Sequence, residues 1–233
     1  MEIDKKYYNI NFETGMKKEL WKKYDEQFSK LVLEYIDENK YSKLQCLDKP
    51  DLQMPDKSLG IEVASVVSEA EGAIAGSFLN YIDESVNPNK KIKSKQYLVN
   101  AGCNIAFQGV MTWPSKSNKD EENNLINVYS KKISKLKSYK EQGFDKIGIF
   151  LVNYNPTIRY NINDFANVLK TKFPEKDYDS IFYCSANKIL VLDADKNILL
   201  STVINKSDYQ ALSIMARCNI ENNETTNKLQ IID

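Results

Sequence analysis

Lys49-Pro50-Asp51-Leu52-Gln53-Met54-Pro55-Asp56-Lys57-Ser58-Leu59-Gly60-Ile61-Glu62-Val63-Ala64 is the stretch on which the reading of the whole chain turns. Pro55-Asp56-Lys57-Ser58 is turn chemistry: proline presets φ, and Asp and Ser side chains bond nearby backbone. Ile61-Glu62-Val63 is β-rich around one acid. A hairpin pivoting between Asp56 and Lys57 sets Asp51 directly opposite Glu62. Opposed side chains on antiparallel strands share a face, with Cβ atoms about 5 Å apart. Two carboxylates so placed repel unless a cation or proton lies between them. Their separation suits joint binding of one divalent cation by oxygen ligands. A register slip of one residue would break the pairing. The plainer alternative makes Glu62 the solvent-facing residue of an amphipathic strand and Asp51 a loop residue after proline.

Pro50-Asp51 followed by Glu62-Val63-Ala64 resembles the PD-(D/E)XK nuclease superfamily, which sets an Asp after a Pro on one strand and an acid, a spacer and a Lys on the next. The match departs from the pattern at the lysine, where Ala64 stands. The resemblance extends over roughly Lys17 to Leu192: a leading helix, the acid-bearing hairpin, a lysine-bearing helix and a buried strand follow in that family's order. It implies an α/β fold with a central mixed β-sheet flanked by helices, restriction-endonuclease-like. It implies a Mg²⁺- or Mn²⁺-dependent nuclease that hydrolyses phosphodiester bonds of DNA, in restriction or defence. The partner is then nucleic acid, and a homodimer is compatible with it. Asp51 and Glu62 become the metal ligands, with the backbone carbonyl of Val63 beside them.

Members of that family sometimes carry the lysine on another element. Three candidates are ranked here: Lys135, then Lys132, then Lys49, which the same hairpin register sets opposite Ala64. A leading-helix acid also joins the metal in some members, and Glu34 and Glu19 are the choices. The missing lysine at position 64 supports a second reading, a catalytically inactive nuclease-fold protein that binds nucleic acid or protein. A scaffold protein with a chance Pro-Asp and Glu is a third.

The chain has 233 residues, 42% hydrophobic and 27% charged, enough for one sizeable core. It contains no histidine, which excludes Ser-His-Asp and Cys-His chemistry and a histidine general base. Its 32 basic and 32 acidic residues balance, which argues mildly against a dedicated nucleic-acid binder. Cys46, Cys103, Cys184 and Cys218 are widely spaced and read as reduced thiols. The N-terminus shows no signal peptide and no apolar run spans a membrane, so a cytoplasmic location is expected.

Along the chain, 17–39 carries an apolar stripe at Leu20, Tyr24, Phe28, Leu31, Val32 and Tyr35 and predicts a helix. Ser68-Glu69-Ala70-Glu71 has capping-box spacing and opens a second helix to Ile82, with Gly72 and Gly76 permitting close packing. Asn87-Pro88-Asn89 reads as a break, Lys90 to Lys95 as a solvated basic loop, 97–113 as a strand or two, and 114–122 as a polar loop. An insertion is expected at about 84–122 in a single domain of residues 1–221. Leu125 to Gln142 predicts one lysine-rich helix. Lys146 to Tyr154 is apolar on both faces and predicts a central strand. Then follow a helix over 164–172, a hairpin of 180–184 and 188–192, a strand over 197–203, a helix over 207–217, and a polar frayed tail over 222–233.

Overall fold

The computed structural model describes residues 1–8, 10–11, 16, 18–82, 85–105, 111–114, 116–154, 161–222 and 230–231. The expected chain break at Asn155-Pro156 and most of the expected frayed tail lie outside them.

In chain order the elements are β1 (Ile10–Asn11), α1 (Trp21–Ile36), α2 (Glu38–Tyr41), β2 (Gln45–Cys46), β3 (Leu52–Gln53), β4 (Gly60–Ser65), α3 (Glu69–Ile82) and α4 (Pro88–Asn100). Next come β5 (Asn104–Ile105), β6 (Met111–Thr112), α5 (Asn118–Ile133), α6 (Leu136–Glu141), β7 (Ile147–Asn153) and α7 (Asp164–Lys172). The last are β8 (Ser180–Ser185), β9 (Lys188–Asp193), β10 (Ile198–Val203), α8 (Lys206–Asn222) and β11 (Gln230–Ile231). The chain divides into two compact units, 1–66 with 125–233, and 67–124.

The larger unit is built on a seven-stranded mixed sheet in the order β10-β9-β8-β7-β4-β3-β2. β4, β7 and β8 are parallel, and the remaining neighbours are antiparallel. β7 is buried along its whole length, as the unbroken apolar run predicts for a central parallel strand. Side chains alternate across each strand. Ile61, Val63, Phe150, Val152 and Phe182 pack on one face with α1 and α8 residues such as Phe28, Val32 and Leu212. Ala64, Ile149, Leu151, Ile181 and Tyr183 pack on the other with Tyr129, Tyr139, Phe165 and Leu169. The sheet is thus a middle layer between two helical layers, an α/β arrangement.

The smaller unit has its own small core of Ile74, Leu98 and Cys103. Its first helix, α3, opens with the expected capping box: Glu71 N–H donates to Ser68 Oγ at 3.1 Å and Ser68 N–H to Glu71 Oε2 at 2.9 Å. α3 belongs to this unit, which therefore begins well before the insertion expected at about 84–122. A Cβ on Gly72 or Gly76 would meet no atom within 4 Å, so neither glycine marks a close approach. The basic run at 90–95 is helical, not a loop. Asn87 caps α4 by accepting from Asn89 N–H, and Pro88 occupies its first turn. Asn87-Pro88-Asn89, read as a break, starts a helix. The expected loop at 114–122 likewise ends in α5, whose start is fixed by Ser117 and Asp120 bonding each other's backbone. The single helix expected over 125–142 is two, α5 and α6, separated at Ser134-Lys135.

Candidate active site

The hairpin register follows the sequence expectation: Leu52 pairs with Ile61 and Gln53 with Gly60. The pairing stops there, one residue short of Asp51 and Glu62. Both are buried, Asp51 at 5% and Glu62 at 2% exposure.

β3 ends at Leu52 on this side because the chain turns away at Lys49-Pro50, with Lys49 at φ 61°. The turn packs tightly over β4, where a Cβ on Gly60 would lie 2.5 Å from Pro50 Cγ. Val63 N–H therefore lacks a strand carbonyl on that side. Asp51 Oδ2 accepts from it at 2.8 Å, so the carboxylate does the work of the missing backbone acceptor. The other oxygen, Oδ1, lies 3.3 Å from Lys22 Nζ, which also lies 3.4 Å from Glu26 Oε1. Burial and the neighbouring Asp51 charge push the Glu26 carboxyl up to about 7. Burial draws Lys22 down, but Asp51 and Glu26 outweigh it and leave its pKa raised.

Glu62 faces the opposite helical layer from Val63 and meets α5 and α6. Lys132 Nζ lies 2.5 Å from Oε1, Lys135 Nζ lies 2.9 Å from the same oxygen, and the Tyr139 hydroxyl donates to Oε2. Burial pushes the Glu62 carboxyl up, but Lys132, Tyr139 and Lys135 outweigh it and hold it below the usual carboxylate range. Lys135 is raised by Glu62 first, with Asp51 adding to it. Tyr139 is raised by burial and by the Glu62 and Asp51 charges. Lys132 Nζ also stands 3.4 Å from the Val63 carbonyl oxygen. An ammonium thus rests between a carboxylate and a backbone carbonyl, the oxygen environment a hard cation prefers.

Of the predicted residues, Glu62, Lys132 and Lys135 come together, while Asp51 is held by Lys22 of α1 and by Val63 N–H. Lys49 does not join them: its ammonium is exposed and 3.9 Å from Asp48, and the β3–β4 pairing does not reach Ala64. Neither leading-helix acid reaches the pair. Glu34 is bound to Lys30 at 2.5 Å and Glu19 is exposed in the 3-10 turn before α1. The α1 acid beside Asp51 is Glu26, because the rotation of α1 about its own axis presents the residues near Lys22 and Glu26 to the hairpin. Tyr139 was also missed. Its spacing from Lys132 and Lys135, seven and four residues, would mark one face of the single helix expected over 125–142.

Carboxylate oxygens and a carbonyl make an oxygen-only donor set of the kind that suits Mg²⁺ or Mn²⁺. Among the described residues no cluster of three or more Asp, Glu, His or Cys side chains is arranged to hold a metal ion. The two carboxylates the sequence named as ligands are held by this chain's own groups, Asp51 by Lys22 and Val63 N–H and Glu62 by Lys132, Lys135 and Tyr139. Among the described residues no helix is long and apolar enough to cross a membrane. Comparison with protein-family models, curated proteins and solved structures finds no match to this chain.

Proposed function

We propose that this chain is a divalent-metal-dependent nuclease of the restriction-endonuclease-like kind that hydrolyses DNA phosphodiester bonds. The observation that carries the reading is the convergence of Lys132 and Lys135 on Glu62, on the strand next to the one that Asp51 precedes. The element order supports it: α1, the antiparallel β2-β3-β4, the lysine-bearing α5–α6, then β7 parallel to β4. Asp51 and Glu62, with the Val63 carbonyl, would hold the cation. When bound, a divalent ion activates water and neutralises phosphate charge. Lys132 and Lys135 supply positive charge where the phosphate oxygens gain negative charge. Tyr139 fixes the rotamer of Glu62 and keeps that carboxylate ionised through a hydrogen bond to Oε2.

A second reading is favoured by a specific observation. Both oxygens of Glu62 are already satisfied by this chain's own groups, and Ala64 stands in the lysine position. A carboxylate so satisfied is also what a catalytically silent, nucleic-acid- or protein-binding relative would show.

The test is Mg²⁺ and Mn²⁺ calorimetry together with plasmid nicking, on wild type, Asp51→Asn and Glu62→Gln. Binding and nicking in wild type, lost in both variants, support the nuclease. A folded wild type that neither binds metal nor nicks sinks it in favour of the silent relative.

A further inference from the structure

The end of α5 and the whole of α6 stand across from residues 172–177, the segment that leads from the last residue of α7 towards β8. Between them lies a cavity of about 910 Å³, open to solvent. Its volume is that of a small-molecule site. The apolar part of its lining is Ile133, Leu136, Phe173 and Pro174. The Phe173 ring rests on Tyr129 beneath it, with ring centres 5.0 Å apart. No lining residue bonds to Asp51 or Glu62, so the cavity is separate from the candidate active site.

A buried lysine fixes the wall formed by 173–177. Lys196, 2% exposed, donates to the Glu175 carbonyl oxygen and lies 3.3 Å from Asp177 Oδ1. The same carboxylate oxygen accepts from the Tyr129 hydroxyl at 2.6 Å and from Tyr178 N–H at 2.7 Å. Lys196 does this from a left-handed backbone, φ 58°, a conformation unfavourable for any residue with a side chain. Burying an ammonium is unfavourable too. Both are tied to the placing of one connecting segment. A wall set in advance loses little entropy when a ligand binds against it.

Charge selects the ligand. Asp177 is already matched by Lys196. Glu141 lies 4.0 Å from Lys137, and Lys176 lies 2.8 Å from Asp195. Lys140 and Lys172 are exposed on the cavity rim and form no ion pair among the described residues. Against these two ammonium groups stands the carboxylate of Glu175, so the uncommitted charge of the lining is positive. We propose that the cavity binds a small organic anion. A flat apolar body lies against Leu136, Phe173 and Pro174, and its acidic group is held by Lys140 and Lys172. The apolar floor supplies contact area, and the two lysines set the orientation. This proposal is independent of the chemistry at Glu62.

The probes are 8-anilinonaphthalene-1-sulfonate and N-phenyl-1-naphthylamine, the same ring system without the sulfonate. Binding to the full chain is followed by fluorescence and calorimetry for wild type, Lys140→Glu, Lys172→Glu and Lys93→Glu, the last an exposed lysine of α4 that controls for overall charge. Near-ultraviolet circular dichroism establishes that each protein keeps its packed core. Wild type is expected to bind one equivalent of the sulfonate saturably and the uncharged compound roughly tenfold more weakly. Lys140→Glu and Lys172→Glu should each weaken the sulfonate by roughly tenfold, with Lys93→Glu at wild-type affinity. A folded wild type that binds no sulfonate overturns the proposal. So does binding that both folded rim variants leave unchanged, or that Lys93→Glu weakens equally, since the anion would then be held elsewhere or by overall charge alone. An uncharged compound bound as tightly as the sulfonate overturns it as well. If one rim variant misfolds, the other decides.

Discussion

Replacing Lys132 by Met separates the electrostatic role of this lysine from its packing. Met keeps an unbranched stem of similar reach and removes only the ammonium. That ammonium is 2.5 Å from Glu62 Oε1, on a side chain 23% exposed, while Glu62 is 2% exposed. A hydrogen bond to a charged group contributes about 1.5–3 kcal/mol. Two considerations lower that figure: Lys135 still holds the same oxygen at 2.9 Å, and Lys132 retains some solvent. The expected loss is about 1–2 kcal/mol at pH 7, or a fall in Tm of about 2–4 °C per kcal/mol for a chain of this size. The pH dependence carries the sharper test. The folded-state pKa of Glu62 is lowered, so the stability it contributes is present above the unfolded carboxylate value and disappears as pH falls through the folded value. The gap between wild type and Lys132→Met in urea unfolding therefore narrows as pH is lowered from 7 through the acid range. A gap of equal size at both ends would refute the argument, because it would mean that the stem, and not the charge on Glu62, carries the effect.

Glu26→Gln tests the opposite sign: a carboxyl raised to about 7 costs stability as pH rises from the ordinary carboxylate range through 7, so the variant gains on wild type at pH 8 but not at pH 5. The expected gain, discounted for partial solvation, is about 1–2 kcal/mol by urea unfolding. Asp51→Ala leaves the buried Val63 N–H without its acceptor and should cost about 1–3 kcal/mol, whereas Asp51→Asn keeps an acceptor oxygen and should lose less. Gly60→Ala forces a Cβ to within 2.5 Å of Pro50 Cγ, and about 1–3 kcal/mol of destabilisation should appear as a lower urea midpoint with unchanged slope. If the nuclease reading holds, Lys135→Met should weaken binding of short DNA while leaving Mg²⁺ affinity near wild type in calorimetry, and Lys132→Met should raise Mg²⁺ affinity.

What the sequence disclosed about this molecule follows from which forces act locally. The hairpin register was legible because Pro55-Asp56-Lys57-Ser58 fixes the turn within a few residues, and the turn fixes every pair that follows it. β7 was legible because a strand buried on both faces has no polar period to confuse. The smaller unit was not. Asn87-Pro88 halts one helix and begins another with the same chemistry, and only the tertiary setting decides which. Glu26 was hidden because the apolar stripe of α1 gives the buried face of the helix but not which flank meets the hairpin; Glu19, Glu26 and Glu34 all lie off the stripe. β10 escaped notice as a surface because Ile198-Leu199-Leu200 reads as core in any pattern analysis. Only its place at the end of the sheet exposes it.

The balance of charge around the hairpin bears on how a neutral chain would meet a phosphate. Glu26, Asp51 and Glu62 are matched by Lys22, Lys132 and Lys135. A cluster compensated in this way offers little net potential to draw in DNA from a distance. The two lysines on Glu62 differ in a way that resolves the difficulty. Lys132 points inward and bridges Glu62 to the Val63 carbonyl; Lys135 is 50% exposed and touches the same carboxylate from outside. If the nuclease reading holds, Asp51, Glu62 and that carbonyl would hold a divalent ion, which would compete with Lys132 for Glu62 and add positive charge near Lys135. On that reading the site would become electropositive only when loaded, so metal and DNA should bind with positive coupling: DNA affinity should rise with Mg²⁺, and Mg²⁺ affinity by the same factor with DNA present. Equal DNA affinity with and without Mg²⁺, measured at constant ionic strength, would break this link between the inward lysine and the outward one.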